Sequence, residues 1–506
     1  MMAILSLMML IMLLFNGIIT LMNMNILTST WDMSFEFNNP YIKMFSITVI
    51  VLSMFISFYC LQYMDSDISI NRFCWILISF ISSMLILNMS NSNWILWLGW
   101  EGLGVTSFLL IIYYTNWKSN NSSMTTLMMN RVGDFSLLLM MSSFCCYLLW
   151  DINNYKLSPF FCMILMMAIF AKSAQIPFQS WLPIAMAAPT PVSSLVHSST
   201  LVVAGVMICI KMNNYFFNTS MTIMTIIGFL TSLYASFMAI VEKDFKKILA
   251  YSTMSQIALV MFMVSSNLTK LMVFHIINHA FAKALLFMNV GLYILYLFGN
   301  QESRSLEMKT MNSSIISFML IMSMMIMCGS FFTSCYYSKE YQLIFTYNQE
   351  SLSYMTNIMI FMSFAYSIRM IVYILMNVNT KIIQNFMIKG NITNIMLLFL
   401  SLMSGWLLSW NFSIPFNLEW STKKMTMMFL PILIIIMSIH TLKNMMNLDI
   451  EYNYPIKNTM KTNYAIYKKI KFMSISKNIM LKQYMFMSEM KFIMIPIGIL
   501  MLLVII

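Results

Sequence analysis

Long apolar stretches dominate the chain, separated by short polar or turn-forming segments. Residues 1–31, 73–100, 173–210, 212–241, 310–338 and 390–418 carry no Asp, Glu, Lys or Arg, and each exceeds the roughly 20 residues that a helix needs to cross a bilayer core. Marking apolar runs between charges and turn residues predicts about fifteen spans. They lie near 3–22, 44–62, 73–89, 95–114, 127–149, 160–187 (interrupted), 191–210, 222–241, 248–266, 270–298, 313–337, 354–376, 392–410, 426–442 and 491–506. Strands of outer-membrane barrels alternate polar and apolar residues over ~10 positions, whereas these runs are continuous. The pattern predicts an all-α, polytopic membrane protein. No soluble domain fits between the spans, because the longest polar connection before residue 443 is about 20 residues.

Composition sharpens this reading. Of 506 residues, 60% are hydrophobic and only 9% charged, a balance foreign to soluble domains. Methionine contributes 61 residues and phenylalanine 39. Membrane packing does not demand so much thioether, so the bias points to an AT-rich genome whose code reads an extra codon as Met, as animal mitochondria do. The opening MMAILSLMMLIMLLFNGIIT has neither the basic n-region of a signal peptide nor the Arg/Ser-rich amphipathy of a transit peptide, and is read as a first spanning helix. Eight cysteines are scattered without a CxxC, and the four histidines, His197, His275, His279 and His440, lack the paired long spacing of a membrane di-haem protein. No redox centre and no metal is expected in this chain.

The formal net charge is +12, and nine lysines fall between Lys443 and Lys491 against Asp449, Glu451 and Glu489. Two readings stay open for that stretch. One is a solvated basic tail beside anionic headgroups. The other is a helix lying along the membrane surface, with Ile466, Ile470, Met473 and Met480 on its apolar side. Pro455 sets the earliest start of such a helix.

The chemistry lies in what interrupts the spans. An ionisable group at mid-bilayer costs roughly 2.5–3.5 kcal/mol even on lenient insertion scales, so each one needs a partner, a wet cavity or a task. Glu101 sits inside LGWEGLGVTSFLL. Arg131 and Asp134 stand at i and i+3 on one helix face, close enough to neutralise each other. Lys172 precedes Pro177, Pro183, Pro189 and Pro191, so the helix there must break at membrane depth. Such breaks are tolerated only where the freed backbone lines a cavity or is buried in protein. His197 follows the break. His275, His279 and Lys283 at i, i+4 and i+8 drift only about 40° per step and form one stripe. Lys339 and Glu340 end a further apolar run, and Arg369 lies inside a later one.

Blander readings exist for some of these residues. Arg131 with Asp134 fits a structural ion pair, His275 with His279 a metal or haem pair lacking a further ligand, and His197 a hydrogen-bonded packing residue. Lys172 and Lys283 have no such reading, since neither snorkels easily from mid-span. A row of buried Glu, Lys and His groups without a redox or nucleotide-binding motif is the chemistry of proton or cation movement. Desolvation and a nearby carboxylate act in opposite senses on a buried ammonium, so a changed Glu101 to Lys172 distance would load or eject a proton. A swing of ~3 pKa units is about 4 kcal/mol. That is comparable with moving one charge against roughly 150–180 mV at about 2.3 kcal/mol per 100 mV.

The segments LGWEGLGVTSFLLIIYY, NRVGDFSLLL, KSAQIPFQSWLPIAMAAPTPVSSLVHSSTLVVAGV, DFKKILAYSTMSQIALV, FHIINHAFAKALLF and SKEYQLI closely resemble, in order, the core of the antiporter-like subunit family of respiratory complex I, in its NADH dehydrogenase subunit 5 branch. The resemblance covers residues 94–376, and APTPVSSLVHSSTLVVAG together with FHxxxHAxxKALLF separates it from the subunit 4 paralogue. Relatives outside complex I are the large membrane subunits of multi-subunit sodium/proton antiporters. The resemblance implies two inverted five-helix repeats with a broken helix in each half, and a C-terminal membrane-surface helix. It divides the chain into N-terminal helices (1–93), a first half (94–266), a second half (267–410) and C-terminal helices (411–506), with the surface helix near 457–490 and a final anchor at 491–506.

The resemblance also implies roles. Glu101 and Lys172 become the ion pair of the first half, with Asp134 and Arg131 beside its channel. Lys283 and Lys339 become the central and exit-side lysines of the second half, with Glu340 following in the SKE triplet. His197, His275 and His279 link them, and Lys246 matches a further family lysine in the DFKK turn. The implied function is proton translocation in the mitochondrial inner membrane, by a subunit of an H+-translocating NADH:ubiquinone reductase, coupled remotely to NADH oxidation and ubiquinone reduction. A cation/proton antiporter subunit is the alternative, and a purely structural scaffold is a third class. No cofactor is expected in this chain; flavin, iron–sulfur clusters and quinone belong to partner subunits. Expected partners are other complex I subunits, especially the subunit 4 paralogue and supernumerary membrane subunits, and membrane lipids, with no nucleic acid. The chain departs from the family pattern in three places: three spans rather than four precede Glu101, SKE stands for the usual SKD at Glu340, and Pro455 interrupts the basic tail.

Overall fold

Helices follow the apolar runs through most of the chain. The computed structural model describes residues 18–19, 35–36, 39–65, 67–146, 159–213, 216, 218–266, 268–296, 299, 301, 314–330, 333–346, 350–376 and 388–411. The expected spans at 426–442 and 491–506 and the surface helix lie outside them, as does most of 3–22. The helices are α1 (Pro40–Tyr63), α2 (Ile70–Met89), α3 (Asn93–Ile111), α4 (Trp117–Cys146), α5 (Pro159–Lys172), the short α6 (Trp181–Ile184) and α7 (Thr190–Lys211). They continue with α8 (Asn218–Val241), α9 (Phe245–Phe262), α10 (Thr269–Tyr296), α11 (Ser314–Cys328), α12 (Ser334–Thr346), α13 (Glu350–Met376) and α14 (Ile388–Asn411). Seven of them are long and apolar enough to cross a membrane. The chain is a multi-pass, all-α membrane protein.

Burial ranks the helices. The most apolar window of α10 is 100% buried and that of α7 94%, against 44% for α2 and α8. The centre is therefore built from α10, α7 and the almost equally covered α1. Peripheral helices turn apolar side chains outward, among them Trp75, Met128, Phe135, Phe160 and Phe237. Such a surface suits acyl chains, where burial against protein is not needed to hide apolar groups.

Two helices break within the core. The proline-rich stretch ends α5 at Lys172, and apart from the four residues of α6 no α-helix resumes before Thr190. Wide turns then run over Ser193–Thr200, where Thr200 Oγ1 donates to Leu195 O at 2.8 Å; such π-type turns concentrate at functional sites. The second break separates α11 from α12, although the apolar pattern had predicted one span over 313–337. No proline or charge marks it. Gly329, with φ +79, turns the chain while its N–H donates to Ile326 O at 3.1 Å, a left-handed helix end that glycine adopts without strain. A Cβ there would also lie 3.2 Å from Lys339 Cδ.

Two further expectations are corrected. Helix α4 begins at Trp117 rather than near 127; the hydroxyls of its Ser- and Thr-rich first turns are satisfied by their own backbone, as in Ser119 Oγ to Asn116 O at 2.8 Å and Thr126 Oγ1 to Ser123 O at 2.8 Å, so a polar run reads as a break where the helix continues. Ile18 and Ile19, placed in the first helix by the pattern, instead pair antiparallel with Phe35–Glu36, in keeping with the β-sheet fit of β-branched and aromatic residues.

Close helix contacts need small residues. A Cβ on Gly99 of α3 would sit 2.6 Å from Leu87 N and 2.8 Å from Leu87 Cα of α2, backbone atoms that no rotamer change can move. Gly99→Ala is expected to push these helices apart at a cost of about 1–3 kcal/mol, read as a lower melting temperature of the purified assembly. An unchanged melting temperature would show that the contact is not tight.

Candidate functional site

Three helices bring the first set of charges together. Arg131 and Asp134 share a face of α4, and their side chains meet at 3.3 Å. Arg131 Nη1 also donates to Glu101 Oε2 of α3 at 2.6 Å. Lys172 stands at the last position of α5, fully buried, with Nζ 3.9 Å from Asp134 Oδ1. The indole of Trp100, next to Glu101, closes the group: its Nε1–H donates to Asp134 Oδ1 at 2.7 Å, its carbonyl lies 3.5 Å from Lys172 Nζ, and its ring lies 4.9 Å from that ammonium. The carboxylates are therefore shared differently from the expected Glu101–Lys172 pair. Glu101 holds Arg131, and Asp134 stands between Arg131 and Lys172. The Arg131 side chain is 45% exposed and that of Lys172 0%, so the arginine has room to change partners and the lysine does not.

The predicted stripe on α10 is present and wholly interior. His275, His279 and Lys283 are all buried, and the two imidazoles stack 6.4 Å apart. His275 Nδ1 lies 2.7 Å from Ser338 Oγ of α12. Lys283 donates to Ser252 Oγ of α9 and approaches Leu249 O at 3.5 Å. Among the described residues no carboxylate lies within ion-pair distance of it. Lys339 reaches across the second break, donating to Met327 O at 2.8 Å, Cys328 O at 3.0 Å and Ser363 Oγ at 3.0 Å. It thus caps the carbonyl end of α11, where the helix dipole favours a cation. Glu340 follows at intermediate exposure, about 100° further round the helix.

The remaining predicted residues stand apart. Lys246 is buried and donates to Ala188 O at 3.0 Å, inside the first break. His197 is fully buried in the wide turns of α7, edge-on to Trp181 at 6.3 Å, and neither ring nitrogen has a hydrogen-bond partner from the protein. No direct bond joins either to the two charged groups among the described residues. Arg369 caps another helix end, donating to Ala239 O and Glu242 O at 2.8 Å each beyond α8. Sequence reasoning missed Trp100, Ser252, Ser338 and Ser363, which hold the charged groups in place. Of these only Trp100 carried a signal, its position beside an intramembrane carboxylate. No three His, Cys, Asp or Glu side chains converge as metal ligands among the described residues.

This arrangement can hold and hand on protons: two buried clusters, each at a helix break, and each built around an ammonium. Residues 90–368 match the family described as NADH:quinone oxidoreductase/Mrp antiporter, transmembrane. The NADH-ubiquinone oxidoreductase chain 5 of Caenorhabditis elegans is 35% identical over 348 residues, covering 67% of this chain and 66% of that protein. The protein of the same name from Apis mellifera ligustica is 43% identical over 290 residues, 56% of this chain and 52% of its own length. The matched stretch thus spans between half and two thirds of these relatives. In overall fold the chain is similar to a chain of the Mrp complex from Dietzia sp. DQ12-45-1b, with a TM-score of 0.74 at 19% identity, over 90% of this chain and 54% of the other.

Proposed function

We propose that this chain, which belongs to the NADH:quinone oxidoreductase/Mrp antiporter transmembrane family, moves protons across the mitochondrial inner membrane as a subunit of an NADH:ubiquinone oxidoreductase. The observation that carries this reading is the pair of fully buried lysines, Lys172 at the first helix break and Lys283 between α10 and α9. Partner subunits supply flavin, iron–sulfur clusters and quinone and drive the motion; the subunit 4 paralogue, supernumerary subunits and lipid surround it.

In the first half Arg131 is the switch. In the structure it lies nearer Glu101, at 2.6 Å, than Asp134, at 3.3 Å, so Asp134 is shared with Lys172 and the ammonium keeps its proton. When Arg131 leaves Glu101 and closes fully on Asp134, Lys172 loses its share of that carboxylate in a desolvated site and releases the proton. Two unit charges 4 Å apart interact by about 4 kcal/mol at an effective dielectric near 20. That matches the roughly 3.5–4 kcal/mol needed to move one charge against 150–180 mV. In the second half the route runs from Lys283 past His279 and His275 toward Lys339 and Glu340, with Lys246 and His197 between the halves.

Purifying the native membrane complex that contains the chain tests the assignment. The expected result is that flavin, iron–sulfur and quinone-reducing subunits co-purify and that NADH drives proton translocation in sealed vesicles. Gradient-driven sodium/proton exchange, in a complex without those subunits, would assign the chain to the antiporter reading instead.

A further inference from the structure

Gln342 takes no part in the clusters described above, yet it is fully buried and neither atom of its amide has a hydrogen-bond partner from the protein. An unpaired buried amide is destabilising, and leucine would fill the same space without that cost. Its place on α12 suggests what it does. Ser338, Gln342 and Thr346 recur every four residues and are all buried, so they line one face with a drift of about 40° per step. At one end Ser338 Oγ lies 2.7 Å from His275 Nδ1. At the other, Thr346 Oγ1 lies 3.3 Å from Thr356 Oγ1 of α13, itself fully buried.

Helices α10 and α12 run antiparallel here, since His275 meets Ser338 while Asn278 donates to Ser334 O. Four residues before His275, the same face of α10 carries the buried Leu271, so the row of titratable groups on that helix ends at His275. Polar positions continue instead on α12, as far as its last residue. Lys270, in the first turn of α10, is exposed and marks where that end of the helix leaves the apolar layer.

We propose that Ser338, Gln342, Thr346 and Thr356 form a proton path between His275 and the membrane surface beyond the end of α12. The proposal rests on the proton-translocating reading and extends it. Each hydroxyl accepts a proton on its oxygen and releases the one it held, so one proton enters and one leaves with no net change in the chain. Gln342 does not take the proton. It is a positioning residue whose acceptor oxygen and two N–H donors orient water, the carrier across the interval between Ser338 and Thr346.

The test compares Gln342→Leu, Gln342→Glu and Thr356→Val in the assembled complex, with Lys283→Met as control. A merely structural amide predicts that Gln342→Leu raises the melting temperature and leaves pumping intact. The path predicts an equal or higher melting temperature with NADH-driven proton translocation reduced to about a tenth, recovery in Gln342→Glu, and a similar loss in Thr356→Val. Native pumping in both Gln342→Leu and Thr356→Val, while Lys283→Met abolishes it, would overturn the path and leave the function standing. Native pumping in all of them would overturn the function itself. If Gln342→Leu fails to assemble, Thr356→Val alone decides, since Val replaces the hydroxyl by a methyl of the same shape.

Discussion

Lys172→Met is expected to abolish proton translocation in the assembled complex, with NADH oxidation falling about tenfold or more alongside it. The two activities should fall together because a coupled machine cannot complete its redox cycle when one proton step is blocked. The substitution removes the ammonium and little else. Methionine follows the same unbranched course through a site with no exposure, and Asp134 keeps the Trp100 indole at 2.7 Å and Arg131 at 3.3 Å. That residual pairing matters, since stripping a buried charge of its last partner costs about 3–5 kcal/mol and would confuse loss of function with loss of fold. The measurement is proton translocation per NADH oxidised in sealed vesicles, native against variant. If both activities persist in fully assembled complex, Lys172 is structural and the switch argued for the first half does not operate.

How much of this site the sequence carried depends on how each feature is encoded. Covalent geometry and helical spacing are local, and they were legible. Four prolines between 177 and 191 forced the first break. The spacing of Arg131 and Asp134 predicted their contact, and that of His275, His279 and Lys283 predicted a common stripe that α10 buries whole. Partnerships between helices are not local. Nothing in the spacing says that Glu101 binds Arg131 while Lys172 turns to Asp134, because that choice depends on how α3, α4 and α5 sit side by side. The second break, implied by the family resemblance, escaped the apolar pattern for another reason. A hydropathy pattern registers polarity, and Gly329 interrupts the backbone without interrupting the apolar run.

The supporting hydroxyls were hidden by their commonness. Serine is frequent in membrane helices and often bonds its own i−3 or i−4 carbonyl, as Ser252 does to Leu249 O at 2.8 Å. Only the fold distinguishes Ser252 and Ser363, which also receive a lysine, from the many that do not.

Lys283→Met is expected to separate stability from function sharply. Its ammonium has a hydroxyl and a backbone carbonyl as partners, Ser252 Oγ and Leu249 O, and no ion pair among the described residues includes it. Replacing it leaves no carboxylate stranded. Ser252 keeps its bond to Leu249 O at 2.8 Å, and an apolar side chain replaces a group that is costly to bury. The melting temperature of the complex should therefore hold or rise, while proton translocation per NADH falls by about tenfold or more. A cation kept for packing behaves in the opposite way: its removal lowers the melting temperature and the yield of assembled complex, and activity per assembled complex stays native. The sign of the stability change decides between the two. A buried lysine with no carboxylate within ion-pair distance among the described residues lowers stability at rest, and under the proposed function the fold keeps it because its proton must be able to leave.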